Sequence, residues 1–249
     1  MRHLRLIAAI FFSIITLTFC TPAYRPTAVQ YKDYKINNGR STNEGITKLL
    51  KPYSDSVNRN MNDVIAVAGM ALEKRQPEGT LGNVLADAML TVAIETYKTE
   101  VDAAFINAGG IRLPSIAAGN ITRGKIFEMS PFDNIIVLQK LKGKTLKQFL
   151  DLVAKRGGWP CAGISYQIKN NEAVNIKVGK KDFSENDEYT IATVDYIANG
   201  GDDCEMLKIL PQQNNGYLFR DAIISYFTKL NSEGKKINSS IQKRVTNVQ

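Results

Sequence analysis

Ala103-Ala104-Phe105-Ile106-Asn107-Ala108-Gly109-Gly110-Ile111-Arg112 is a short apolar run that ends in an asparagine, two glycines and an arginine. A run of this length bounded by glycine reads as a buried strand feeding a tight loop. Glycine has no Cβ, so such a loop lets backbone amides approach a ligand. An arginine just past it suits a phosphate or carboxylate, because its planar fork donates two parallel bonds to one anion. The plain alternative is a glycine turn with an arginine on the surface. A second stretch, Asp195-Tyr196-Ile197-Ala198-Asn199-Gly200-Gly201-Asp202, again sets an aromatic ring, a Gly-Gly turn and a polar group after a strand-like run.

Outward from the first stretch, Leu81, Val84, Leu85, Ala88, Met89, Val92 and Ala93 form one broad apolar face and predict a buried helix from Leu81 to about Lys98. Before it, Glu73–Gly79 is a polar loop and Val64–Leu72 reads as a strand. Ile46, Leu49, Leu50, Tyr53, Val57 and Met61 keep the spacing of one helical face. They predict a helix over Asn43–Asn62, which Pro52 should kink or delay. Tyr31–Ile36 alternates enough for a strand.

Downstream, Thr122 sits where it can cap a short helix, and Pro131–Asn134 reads as a turn. A strand is expected over Ile135–Leu141 and a helix over Lys144–Ala154, burying Leu146, Phe149, Leu150 and Val153. Strand-like runs follow at 163–169, 173–178 and 189–194. A last helix over Leu218–Leu230 should bury Phe219, Ala222, Ile223 and Tyr226, and Arg244–Val248 can close a sheet edge. Irregular alternation with several strands in a row favours an α+β fold with a mixed sheet over a doubly wound parallel one.

The chain has 249 residues and 44% hydrophobic composition, enough for a packed core. Its formal charge of +8 fits an anionic ligand or an anionic surface. No basic block interleaved with aromatics appears, so nucleic acid is not an expected partner. The only histidine is His3. Once an N-terminal leader is removed, Ser-His-Asp and Cys-His catalysis and histidine-dependent metal sites are excluded.

Residues 1–20 have the form of such a leader. Arg2, His3 and Arg5 precede an apolar run from Leu6 to Phe19, broken only by Ser and Thr. That run is short for a spanning helix of ~20 residues and fits a signal peptide. It ends Leu17-Thr18-Phe19-Cys20, which resembles a bacterial lipobox with a bulky Phe19 where a small residue is usual. The expectation is an exported protein, lipidated at Cys20 and anchored to the bacterial cell envelope at the outer membrane or periplasm. An ordinary secretory signal or an uncleaved anchor is the alternative. Residues 21–42, with Pro22 and Pro26, read as a tether, and residues 43–249 as the folded domain. Cys161 and Cys204 allow a single pairing in an oxidising compartment, or two buried free thiols.

Four motifs now stand in order at fitting distances. They are Leu81-Gly82-Asn83-Val84-Leu85-Ala86-Asp87-Ala88, Asn107-Ala108-Gly109-Gly110-Ile111-Arg112, Pro131-Phe132 and Asn199-Gly200-Gly201-Asp202. Together they resemble the C-terminal domain of the 5'-nucleotidase family, over about residues 45–249. The resemblance implies that domain's mixed-sheet α+β fold and a nucleotide ligand. Phe132 and Tyr196 match the rings that sandwich the base, with Tyr where Phe is more common. Asn107 matches the residue that bonds the base, and Asn134 is a second candidate for the same edge. Asp202 matches the acid on the ribose hydroxyls. Arg75 and Arg112 match the arginines that hold ribose and phosphate. Ala108 stands where some members have a third glycine.

Full-length members also carry an N-terminal metallophosphoesterase domain with Asp, His and Asn ligands for two metals. Here about 25 residues lie between Cys20 and residue 45, too few for a domain. The resemblance therefore implies a chain that binds a nucleotide and does not hydrolyse it alone, with no catalytic residue, metal or cofactor of its own. Divalent metals would sit on a separately encoded metallophosphoesterase. The helix over Asn43–Asn62 matches the family's inter-domain helix, the expected docking surface. A nucleotide- or nucleoside-binding surface lipoprotein with no enzyme attached is the alternative, and an envelope lipoprotein that has lost the site is a third reading.

Overall fold

The computed structural model describes Tyr31, Lys32 and residues 43–248. The expected leader with Cys20, most of the tether and most of the strand expected at 31–36 lie outside the described residues. The chain divides into two units, residues 1–47 and 48–249.

Helix α1 (Glu44–Met61) starts where the Asn43 side chain accepts a hydrogen bond from Ile46 N at 3.2 Å. It continues past Pro52 as one helix, so the expected delay in its start is corrected. Pro52 donates no N–H to the carbonyl four residues earlier, but none of the helix is buried, and water can bond that carbonyl.

The first strands are β1 (Val64–Ala68) and β2 (Leu72–Glu73), where the sequence predicted one run. β1 pairs with β5 (Gly119–Thr122), and β2 with β4 (Ser115–Ile116), both antiparallel. Helix α2 (Thr80–Tyr97) is the central helix. Its apolar face is so broad that Leu81, Gly82, Val84, Leu85, Ala86, Ala88, Met89, Val92 and Ala93 are all buried. Gly82 is required there, since a Cβ would lie 2.7 Å from the Pro160 ring.

A five-stranded mixed sheet forms the core next to α2. Its strands are β3 (Ala103–Phe105), β6 (Ile135–Lys142), β7 (Cys161–Ala162), β11 (Glu188–Val194) and β12 (Gln213–Leu218), in the order β12-β6-β11-β3-β7. β11 runs parallel to β3, with Ile191 opposite Ala103 and Ala192 opposite Ala104. β6 runs antiparallel to β11, with Ile136 opposite Val194. The buried Thr193 hydroxyl donates to the Phe105 carbonyl at 3.1 Å and pins the ends of the parallel pair. β12 was not foreseen, because its sequence Gln-Asn-Asn-Gly-Tyr-Leu is mostly polar and exposed.

A four-stranded sheet in the order β10-β9-β8-β13 is built from β8 (Ile164–Lys169), β9 (Glu172–Val178), β10 (Lys181–Asp182) and β13 (Val245–Asn247). β13 closes its edge parallel to β8, as the sequence indicated. Helix α3 (Arg123–Met129) is capped by the Thr122 hydroxyl, which accepts from Lys125 N at 3.2 Å. Helix α4 (Gly143–Lys155) buries Leu146, Phe149, Leu150 and Val153 as expected. The chain then adds α5 (Asp195–Ala198), α6 (Glu205–Lys208) and α7 (Phe219–Ser232). α7 buries Phe219, Ala222 and Ile223 and leaves Tyr226 half-buried. This is the α+β architecture with mixed sheets that strand order predicted.

Cys161 and Cys204 are free and buried, so the possible disulfide is not formed. Each thiol faces a nearby backbone carbonyl, Cys161 Sγ that of Ile164 and Cys204 Sγ that of Asp202, each at 3.7 Å. Burial pushes both thiols up to about 12. Both therefore stay protonated and unreactive at neutral pH.

Candidate functional site

Two parallel neighbours end at the same edge of a sheet, so the loops after β3 and β11 must leave it side by side. β6 starts at that edge because it is antiparallel to β11. Three loops from distant parts of the chain thus meet there: 107–112, 131–134 and 195–203. The cleft between them has a volume of about 360 Å³. It is lined by Asn107, Gly109, Gly110, Arg112, Phe132, Asn134, Tyr196 and Asp202.

The loop after β3 makes a single 3-10 turn over Ala108–Gly110. Asn107 is buried beneath it, and its Nδ2 donates to Asp202 Oδ2 at 2.7 Å. Its Oδ1 is buried without a partner. A Cβ on Gly110 would lie 2.8 Å from that oxygen, so glycine is what lets the Asn107 amide sit flat under the turn. Arg112 Nη1 reaches the Gly109 carbonyl at 3.4 Å, and its Cζ lies 5.8 Å from the Phe132 ring centre. Behind it, Lys74 Nζ donates to the Ile111 carbonyl at 2.8 Å. Burial, and then the Arg112 charge, hold the Lys74 ammonium below the usual lysine range.

The loop after β11 begins with Asp195, whose Oδ1 accepts from Ile135 N at 3.0 Å and from Tyr196 N at 2.9 Å. One carboxylate oxygen therefore ties the start of β6 to the backbone of Tyr196. Asp202 has the left-handed conformation (φ 53°), unusual for a residue with a side chain. Its carboxylate is held from two sides, by Asn107 and by the Tyr196 hydroxyl at 3.2 Å. Both oxygens keep further lone pairs for a ligand.

Phe132 is 44% exposed and Tyr196 47%, although both are large aromatic residues. Neither ring is used as core, and both stand on the cleft. The structure thus brings together six of the residues singled out from sequence: Asn107, Arg112, Phe132, Asn134, Tyr196 and Asp202. Arg75 is not among the residues lining the cleft, and it pairs with Glu73 at 2.6 Å. Sequence reading missed Asp195, Thr193 and Arg220. Asp195 was visible as an acid directly before the aromatic residue, while Thr193 reads as part of its strand and Arg220 as a polar residue in the first turn of a helix.

A family model described as "5'-nucleotidase, C-terminal domain" matches residues 57–209. The chain is 27% identical to a 5'-nucleotidase of Vibrio parahaemolyticus over 189 residues, 72% of this chain and 32% of that protein. It is 29% identical to Protein UshA of Yersinia enterocolitica over 148 residues, 57% of this chain and 27% of that one. It thus spans about a third or less of the length of these curated relatives. Among solved structures, a 5'-nucleotidase precursor from Thermus thermophilus superposes with a TM-score of 0.71 at 26% identity, covering 83% of this chain and 43% of that one. With three of the four motifs on one cleft and the family model covering more than half of its length, the chain belongs to the 5'-nucleotidase C-terminal domain family.

Proposed function

We propose that this chain is the nucleotide-recognition part of a 5'-nucleotidase-type phosphohydrolase system. The observation that carries the reading is the pair of exposed rings, Phe132 and Tyr196, on one cleft with Asp202, Asn107 and Arg112. A base stacks on aromatic faces with ~1–3 kcal/mol per base, whatever its identity. Asp202 accepts from ribose hydroxyls, as an acid does in dinucleotide-binding folds. Arg112 supplies charge-assisted bonds to the phosphate. Asn107 and Asn134 offer amide groups to the edge of the base. The cleft volume lies within the ~300–1,000 Å³ usual for small-molecule sites.

Hydrolysis is assigned to a separate metallophosphoesterase chain carrying the divalent metals. The only histidine is His3, and among the described residues no three His, Cys, Asp or Glu side chains converge as metal ligands. In support of such a partner, Ile46, Leu49, Leu50, Tyr53 and Val57 of α1 are each more than half exposed. The leader-like start and Cys20 support an exported, lipid-anchored component of the cell envelope.

Calorimetry with AMP, UMP and adenosine, with free phosphate assayed in the same sample containing divalent metal, tests this reading. Micromolar binding without phosphate release is expected, and Arg112→Ala should weaken AMP more than adenosine. Enzyme-like phosphate release by the purified chain would refute the division of labour. Absence of binding at millimolar ligand would refute the recognition role. Binding with no phosphoesterase copurifying would favour the second reading, a surface lipoprotein that captures nucleotides or nucleosides.

A further inference from the structure

Arg220 lies on α7, ninety residues from the loop that carries Phe132, and is 8% exposed. A buried guanidinium needs acceptors for its donors. Those it has belong to one loop. Nη1 donates to the carbonyls of Ser130 at 3.4 Å and Phe132 at 3.3 Å, and Nη2 to Asp133 Oδ1 at 2.5 Å. Its Cζ sits 4.2 Å from the Phe127 ring centre, at the end of α3 that leads into the same loop. Nε is buried and unpartnered. Among the described residues, no hydrogen bond of this side chain goes to α7's own neighbours or to the five-stranded sheet.

Both ends of the loop are anchored, Ser130 N donating to the Ile126 carbonyl and Phe219 N to the Asn134 carbonyl, each at 2.8 Å. Between them, among the described residues, 131–133 have only Arg220 and the Arg112 guanidinium near the Phe132 ring. Pro131, Phe132 and Asp133 are all exposed, so burial does not decide where the Phe132 ring points. An apolar ring in such a loop gains by folding back onto the protein surface. The grip on the carbonyls of Ser130 and Phe132 fixes the backbone from which the ring projects.

We infer that Arg220 is a positioning residue: it holds the 130–133 backbone so that the Phe132 ring stands open on the cleft for a nucleobase. The inference rests on the reading of the cleft as a nucleotide site. Lysine is no equivalent, since one point charge on a flexible stem does not reproduce a planar fork that meets several acceptors of one loop.

A double-mutant cycle on the full protein, read by AMP calorimetry, tests it. Phe132→Ala is expected to weaken AMP about 5- to 150-fold, the stacking range converted to affinity. Arg220→Met is expected to weaken it at least about fivefold in the native background and less than about twofold in the Phe132→Ala background. Equal losses in both backgrounds, or none in either, would overturn the inference. Arg220→Lys goes through the same cycle if Arg220→Met does not fold. Unfolding of both also counts against it, because a side chain serving one loop leaves the core standing. A native protein that binds no AMP overturns the nucleotide reading itself. Native binding weakened by Phe132→Ala, with Arg220 acting independently, overturns this inference alone.

Discussion

Gly201→Ala isolates how the cleft is kept in shape. Gly201 follows Gly200 in the turn after α5, and of the two only Gly200 has a left-handed φ (93°). A Cβ at Gly201 would lie 2.5 Å from the Tyr196 carbonyl oxygen and 2.6 Å from both Cε1 and Cζ of its ring. The carbonyl is part of α5 and cannot yield cheaply, so the ring and the turn must separate. Forcing one methyl into a packed site costs typically ~1–3 kcal/mol. For a domain of this size that lowers Tm by about 2–12 °C. The displaced ring also gives up its bond to Asp202 and its stacking position, so AMP affinity should fall about 5- to 150-fold. Gly109→Ala is the stability control from the facing loop. Its Cβ would meet nothing nearer than Asn107 Nδ2 at 3.6 Å, an ordinary contact. Scanning calorimetry on both variants and AMP titration of Gly201→Ala beside the native protein give the answer. If Gly201→Ala melts like Gly109→Ala and binds AMP like the native protein, the ring is not held by that contact and the reasoning fails.

Thr193→Val keeps the shape but removes the hydroxyl bonded to the Phe105 carbonyl, and should lower stability by ~0.5–1.5 kcal/mol in urea unfolding; an unchanged midpoint would remove the pin between β3 and β11. Tyr196→Phe keeps the stacking face and loses the Asp202 bond, so AMP affinity should change less than about threefold, against about 5- to 150-fold for Tyr196→Ala; equal losses would shift the weight from ring to hydroxyl. Stability should fall as pH rises from about 9 towards about 12, because the unfolded chain releases the protons of Cys161 and Cys204 over that range while the fold retains them. Urea midpoints between about pH 8 and 11 should drop less steeply in a Cys161→Ala, Cys204→Ala double variant, and identical slopes would rule the thiols out.

The readings that held have a common basis. β3 belongs to an apolar run ended by Asn107, β11 is a run rich in apolar and β-branched residues ended by Asp195, and α2 is apolar on so broad a face that only a central position suits it. In each case the residues carry the signal of their own burial. β12 fails that test: its Gln213, Asn214 and Asn215 are exposed, and it is a strand because the edge of β6 is there to pair with. Pro52 shows the reverse error, a local rule applied where solvent removes most of its force. Arg220 was invisible for a third reason. In Leu218-Phe219-Arg220-Asp221 it reads as a polar residue at the start of an amphipathic helix, and its partners lie at Ser130, Phe132 and Asp133. The chemistry at the tips of the loops could be read one motif at a time, whereas what holds the tips in place is spread over the sequence.

The parallel pairing of β3 and β11 is what makes one cleft out of these loops. β11 has seven residues, which at ~3.3 Å per residue spans ~23 Å. Had β11 been antiparallel to β3, Tyr196 and Asp202 would emerge at the opposite edge of the sheet from Asn107 and Arg112. The Asn107–Asp202 bond of 2.7 Å could not form. β6, antiparallel to β11, contributes its beginning rather than its end, so the turn before it, with Phe132 and Asn134, reaches the same edge. A meander of consecutive antiparallel strands would scatter the same motifs over both edges. The mixed topology is therefore the condition on which three weak loop motifs meet at one cleft, with Phe132, Tyr196 and Asp202 on its wall.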